Sequence, residues 1–210
     1  QMKNTITAHV FAHHERPENY EFMADLVGLL EKLRHQNLNI DIESIRRLMG
    51  SVRGQNFMRT LQSCRHVADY NPWGTVTGRL ATNPNSFPIL TLGKEFRDCL
   101  KPHNDWFIEL DFNSAELRVA FYLMGHPQPN EDIHNWIKEN VYKTNITRDR
   151  LKAKTFAWLY NPEAENHRLE SILDKKKISD SHYEAGYVDT PFERKIEAPP
   201  EKALNYLIQS

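Results

Sequence analysis

Residues 106–124 read WFIELDFNSAELRVAFYLM, and the period of the apolar positions changes within them. Ile108, Leu110 and Phe112 alternate with Phe107, Glu109 and Asp111, which predicts a strand with one buried face and one carboxylate-bearing face. Asp111 stands where that strand ends. Asn113 is the expected N-cap of the helix that follows, and Glu116, three residues on, would complete a capping box. Glu116 therefore has a purely structural explanation beside any functional one. A carboxylate at a strand end next to a helix start is well placed for Mg²⁺, a hard cation that takes carboxylate oxygens, waters and substrate phosphates. A strand running into a helix here, among helical stretches elsewhere, makes α+β the expected fold class.

Further along, residues 148–160 read RDRLKAKTFAWLY. Arg148, Lys152, Phe156 and Tyr160 follow one another at intervals of four, which on a helix sets two cations and then two rings on one face about 18 Å long. The cations occupy the N-terminal half, where free helix N–H groups favour anions. Phosphates are expected there, with a base plane meeting the rings beyond. An ordinary amphipathic helix with solvated basic residues has the same spacing. Asn161 and Pro162 should stop this helix sharply.

Elsewhere, residues 18–36 carry Met23, Leu26, Val27, Leu30 and Leu33 at helical spacing, followed by a turn at Asn37 to Asn39 and a second helical stretch over 41–66. NPWG at 71–74 predicts a turn and 83–88 a loop. Residues 187–196 read as a short strand pair around Thr190 to Glu193, and Pro199 and Pro200 open a last helix. Four blocks result, at 1–70, 71–125, 126–186 and 187–210.

The 210 residues, 40% of them hydrophobic, suffice for one sizeable core or two small ones. A formal net charge of −1 offers no global attraction to a polyanion, so any such contact must be local. The candidates are Arg46, Arg47, Arg53, Arg59 and Arg65, or the run Arg148 to Lys154; Lys175, Lys176 and Lys177 read as a solvated face. His9, His13, His14 and Glu15 have i, i+4 spacing but no matched partner cluster, which argues against a metal site. Cys64 and Cys99 lack zinc spacing and favour a reducing cytoplasm over secretion. No apolar run is long enough to span a membrane, so a soluble, intracellular protein without membrane partners is expected. The absence of a Gly-rich phosphate loop excludes a P-loop NTPase or a kinase.

DFNSAELR at 111–118 resembles motif A of the family A DNA polymerases, the bacterial DNA polymerase I type, and RDRLKAKTFAWLY at 148–160 resembles their motif B. TGRL at 77–80 is similar to the segment preceding motif A in that family, and EDIH at 131–134 and ALNYLIQS at 203–210 are similar to further stretches of it. The ordered set covers roughly residues 70–210. The resemblance implies an antiparallel palm sheet, helical fingers and a helical, thumb-like N-terminal segment. It implies nucleotidyl transfer from a dNTP to a primer 3′ hydroxyl on primer-template DNA, with two Mg²⁺ ions. Asp111 would bridge those ions, with the backbone carbonyl of Phe112 assisting. Glu116 would exclude a ribose 2′ hydroxyl, which disfavours a single-subunit RNA polymerase. Arg148 and Lys152 would grip the triphosphate, with His134 adding a phosphate contact or serving structurally. Phe156 would pack against the nucleotide, and Tyr160 would stand near the templating base. Phe rather than Tyr at 156 implies poor acceptance of dideoxynucleotides. Arg79 would reach the minor groove at the primer terminus, with Asn205 and Gln209 lining the same duplex.

The chain also departs from that pattern. Asn161 follows Tyr160 where the family places Gly, the span from Tyr160 to Gln209 is short, and Glu201 occupies a place where a basic residue is common. The family's second catalytic carboxylate lies in a later motif C, after the position of Gln209. Glu109 is no substitute, since it shares the expected strand face of Asp111 about 6.6 Å along it. The expectation is therefore an incomplete polymerase domain that needs a second polypeptide carrying motif C. The alternative is a non-catalytic DNA- and nucleotide-binding remnant.

Overall fold

The computed structural model describes residues 2–16, 18–192 and 194–210. It is mixed α and β, mostly helical, with short antiparallel strands. Gln1–Gly74 with Leu80–Phe107 form one compact unit, and Thr75–Arg79 with Ile108–Ser210 form the other. Among the described residues no helix is long and apolar enough to cross a membrane.

The first unit contains α1 (Met2–His13), α2 (Tyr20–Arg34), β1 (Asn39–Ile40), α3 (Ile42–Arg46), α4 (Val52–Ser63), β2 (Tyr70–Asn71), β3 (Ala81–Thr82) and β4 (Leu100–Lys101). β1 pairs antiparallel with β4, and β2 with β3. Ile45, Phe57, Leu61, Phe87, Phe96 and Cys99 form its core, with the Phe57 ring stacked on Phe96 at 4.4 Å. The helix expected over 18–36 is α2. The helical stretch expected over 41–66 is instead broken into α3 and α4. The Leu48 carbonyl passes so close to Gly54 that a Cβ there would lie 2.0 Å from it, and Ser51 restarts the helix by accepting the Gly54 N–H at 3.0 Å.

Three of the five clustered arginines of this unit pair with its carboxylates. Arg46 pairs with Glu43, Arg53 with Glu95 at 3.0 Å, and Arg65 with the buried Asp69 at 2.5 Å. Arg47 and Arg59 are on neutral partners, Ser44 and Asn56. The His9 and His13 rings lie 4.1 Å apart, tilted by 30°, and among the described residues no three His, Cys, Asp or Glu side chains gather as a metal site.

The second unit contains α5 (Ala115–Leu123), α6 (Ile133–Ile137), α7 (Arg148–Tyr160), α8 (His167–Glu170), α9 (Lys175–His182), β5 (Tyr183–Glu184), β6 (Tyr187–Asp189), β7 (Lys195–Glu197) and α10 (Ala203–Gln209). The three strands form an antiparallel sheet in the order β5-β6-β7, with Val188 opposite Ile196 and both buried. The strand pair expected over 187–196 is thus β6 and β7, with Glu193 outside the described residues. Leu117 and Phe121 of α5, Ile133 and Ile137 of α6, Leu151 and Leu159 of α7, and Leu207 of α10 pack into one core. Each such side chain contributes roughly 1.5–3 kcal/mol by leaving water.

Two expectations are corrected here. Residues 106–112 form no strand of a sheet. Trp106, Ile108, Leu110 and Phe112 are each more than 80% exposed, and this stretch makes no backbone hydrogen bond to another described residue. Alternation makes a segment compatible with a strand, but only a neighbouring ladder satisfies its N–H and C=O groups, and no such neighbour is among the described residues. Lys175 is likewise not on a solvated face. Its ammonium donates to the carbonyls of Trp158, Asn161, Pro162 and Ala164 at 2.8–3.4 Å and lies over the Trp158 ring. It therefore closes the C-terminal end of α7, where free carbonyls attract a cation.

Candidate functional site

The site is organised around Asp132, the N-cap of α6. Its Oδ1 accepts the His134 and Asn135 N–H groups, each at 3.0 Å. Its Oδ2 accepts from Asn113 Nδ2 at 2.7 Å and from the Arg148 guanidinium at 2.5 Å. One carboxylate thus ties the turn before α5, the start of α6 and the start of α7. The Arg148 guanidinium beside Asp132, with burial opposing, holds this carboxyl well below the usual carboxylate range.

Asn113 consequently does not cap α5. Its Oδ1 accepts the Ile133 N–H at 3.1 Å, and Ser114 takes the cap position with φ of 56°. A left-handed backbone costs a serine roughly 1–2 kcal/mol. The Ser114 hydroxyl shares a 2.9 Å hydrogen bond with Nε2 of His134, which offsets part of this. Arg118 closes the turn from the other side, donating to the carbonyls of Asn113, Pro129 and Glu131, each at 2.9 Å. The tertiary partners supplied by α6 win over the local capping box, and Glu116 is released for another contact.

Glu116 pairs with Arg79. Burial pushes its carboxyl up, but its own backbone N–H, the Arg79 guanidinium and the Tyr160 hydroxyl outweigh this and leave it below the usual range. Burial, followed by the Glu116 charge, raises the Tyr160 hydroxyl above the ordinary phenol value, with Gln209 near enough to oppose the shift. Asn205 Nδ2 donates to the Tyr160 carbonyl at 3.3 Å, so α10 holds the last residue of α7. Phe156 and Tyr160 stack nearly parallel, 5.6 Å apart and 13° from coplanar, and the His134 ring meets Phe156 edge-on at 5.6 Å.

Of the residues expected from sequence, Arg79, Glu116, Tyr160, Asn205 and Gln209 meet at the C-terminal end of α7, with Phe156 and His134 one turn earlier. Arg148 lies at its N-terminal end on Asp132. Lys152 is exposed between them and makes no ion pair among the described residues. The phosphate contact expected of His134 is not available here, because its ring is wholly buried with Nε2 on Ser114. Asp111 and Phe112 lie on the exposed stretch before α5 and join none of these contacts. A lone exposed carboxylate with a neighbouring carbonyl is a partial donor set for Mg²⁺, which draws its other oxygens from phosphates, waters or a further carboxylate. Asp132, Asn113, Ser114 and Arg118 lie within the DFNSAELR and EDIH stretches, but no local rule indicates that they bond to one another.

Burial drives the His134 imidazole down, and its Nδ1 has no hydrogen-bond partner among the described residues. The unfolded chain therefore binds a proton that the folded unit does not, from about pH 6.5 down to the lowered folded value. Stability of the second unit is expected to be complete above about pH 6.5 and to fall as pH drops through that window. The carboxylates Asp132 and Glu116, both shifted down, begin to cost stability only below about pH 4.5. Urea unfolding at pH 7.5 and pH 5.2 should thus show a loss that His134→Gln largely removes. An equal loss in the variant would assign the effect elsewhere.

Comparison with protein-family models, with curated proteins and with solved structures found no match to this chain.

Proposed function

We propose that the second unit is the nucleotide-binding and duplex-contacting part of a template-directed DNA polymerase, which transfers a nucleotidyl group from a dNTP to a primer 3′ hydroxyl. The observation that carries this reading is the meeting of Arg79, Glu116, Tyr160 and Gln209. They come from four separate stretches of sequence, each of which resembles a different family segment.

In this reading Lys152 and Arg148 bind the triphosphate along the first turns of α7, and the Phe156 and Tyr160 rings face the nucleoside. Glu116, held by Arg79, occupies the place of a ribose 2′ hydroxyl, while Gln209 and Arg79 contact the primer-template duplex. Helices α6 to α9 serve as fingers and the helices of the first unit as a thumb-like segment. Asp111 and the Phe112 carbonyl would share Mg²⁺ with the nucleotide phosphates and with a carboxylate from a motif C segment outside these 210 residues. Bound there, the metal supplies activation of the 3′ hydroxyl and neutralisation of the phosphates. Support for a strand-bearing partner comes from the uncovered alternation of Trp106, Ile108, Leu110 and Phe112, since an exposed apolar row with unpaired backbone favours addition of a strand. The incomplete donor set at Asp111 keeps a second reading alive, in which the chain binds nucleotide and DNA without catalysis.

The test is primer extension on a primed single-stranded template with Mg²⁺ and four dNTPs, alongside dNTP and duplex binding. Extension abolished by Asp111→Ala establishes synthesis by these residues. Saturable dNTP and duplex binding without extension supports the half-site or the remnant, and addition of a motif C polypeptide separates the two. Failure to bind either dNTP or primed duplex overturns the proposal.

A further inference from the structure

Thr75–Arg79 belongs to the second unit by its contacts, although it lies far in sequence from the rest of that unit. Thr75 Oγ1 donates to the Arg79 carbonyl at 2.7 Å and the Gly78 N–H to the Thr75 carbonyl at 3.3 Å, so the segment is a closed turn. Its outward carbonyls go to a single side chain. Arg194 donates from Nη1 to the Thr77 carbonyl at 3.0 Å and from Nη2 to the Val76 carbonyl at 3.4 Å. The guanidinium lies so close over Gly78 that a Cβ there would fall 2.4 Å from Nη1, and Gly78 has φ of 80°. The backbone conformation favours glycine at this position, and a side chain there would displace the Arg194 guanidinium.

Arg194 is itself rigidly based. The Thr190 N–H donates to the Arg194 carbonyl at 2.9 Å, and Thr190 Oγ1 accepts the Arg194 N–H at 3.2 Å. Thr190 is buried, and Val188 and Ile196 anchor the flanking strands β6 and β7 in the core. A planar guanidinium with several fixed donors suits two adjacent carbonyls better than the single point of an ammonium.

We infer that Arg194 is a positioning residue, which pins the Thr75–Gly78 turn from the β6–β7 hairpin and so delivers Arg79 to Glu116 beside Tyr160. Its consequence for DNA rests on the proposed reading of Arg79 as a duplex contact. The hairpin then sets the geometry of a contact that tests base-pair shape, without touching the duplex itself.

The experiment uses the full chain with Arg194→Gln, Arg194→Lys and Arg79→Ala. In Arg194→Gln, exchange of the Gly78 amide, which is bonded to the Thr75 carbonyl within the turn, is expected to quicken by about tenfold as the turn loosens, while Val188 and Ile196 remain protected. The Glu116 carboxyl, followed by NMR, should titrate at higher pH as Arg79 leaves it, and Arg194→Lys should restore part of both effects. Unchanged turn exchange, or an unchanged Glu116 titration, would overturn the positioning role. On a primed duplex, Arg194→Gln should weaken binding by roughly the same three- to tenfold factor as Arg79→Ala, and the double variant should be no weaker than either. If exchange and titration shift but neither variant alters duplex binding, Arg194 positions Arg79 and the duplex reading of Arg79 fails.

Discussion

Lys152→Ala is expected to weaken dNTP binding by roughly 10- to 100-fold while leaving primed-duplex binding within about a factor of two. Two cations are assigned to the triphosphate, and they are not equally free. The Arg148 guanidinium is engaged by Asp132 at 2.5 Å, so part of its charge is already answered within the fold. The Lys152 ammonium is exposed and makes no ion pair among the described residues, which leaves its charge available to an incoming phosphate. A charge-assisted bond to phosphate is stronger than a neutral one, by roughly a factor of two, so removing the freer cation should have the larger effect. Equilibrium titration with a fluorescent dNTP checks this, with Arg148→Ala for comparison. An equal loss of nucleotide and duplex affinity would mean that Lys152 contributes only general positive charge.

The second large effect concerns stability. Asp132→Ala should cost the second unit about 3 kcal/mol, the sum of an N-cap worth roughly 1 kcal/mol and a charge-assisted pair worth roughly 2 kcal/mol. The substitution leaves the His134 and Asn135 N–H groups, Asn113 Nδ2 and Arg148 without their shared acceptor. Asp132→Asn keeps the cap, since asparagine caps as well as aspartate, but loses the charge, so its cost should be clearly smaller. Urea unfolding followed by tryptophan fluorescence measures both, with the buried Trp158 reporting the second unit. A loss below about 1 kcal/mol in the alanine variant would show that the three elements hold together without this carboxylate.

The positioning turn beside Glu116 shows how far local sequence rules reach. The i, i+4 ladder of 148–160 reads as a helix because side chains four apart share a face, and α7 spans those residues. Asn161 and Pro162 end that helix as expected, because the residue before a proline is pushed out of helical backbone. The prolines that open the last helix and the strand pair after Tyr187 are legible for equally local reasons. At Asn113 the local rule pointed the wrong way. The capping box is satisfied only if nothing better competes, and the α6 backbone and Asp132 provide better partners 19 and 20 residues away.

Local physics thus determined α2, α7 with its C-terminal end, and the β6–β7 strand pair, since each depends on backbone preferences and spacings within a few residues. Four decisions belonged to the tertiary structure alone. It decided that Glu116 faces Arg79, that Asp132 joins three elements, that Lys175 closes α7, and that Arg194 holds a turn more than a hundred residues earlier in the chain. The alternation of 106–112 belongs with these, because a pattern specifies which face of a strand is apolar, whereas its pairing depends on whether another strand is there to meet it.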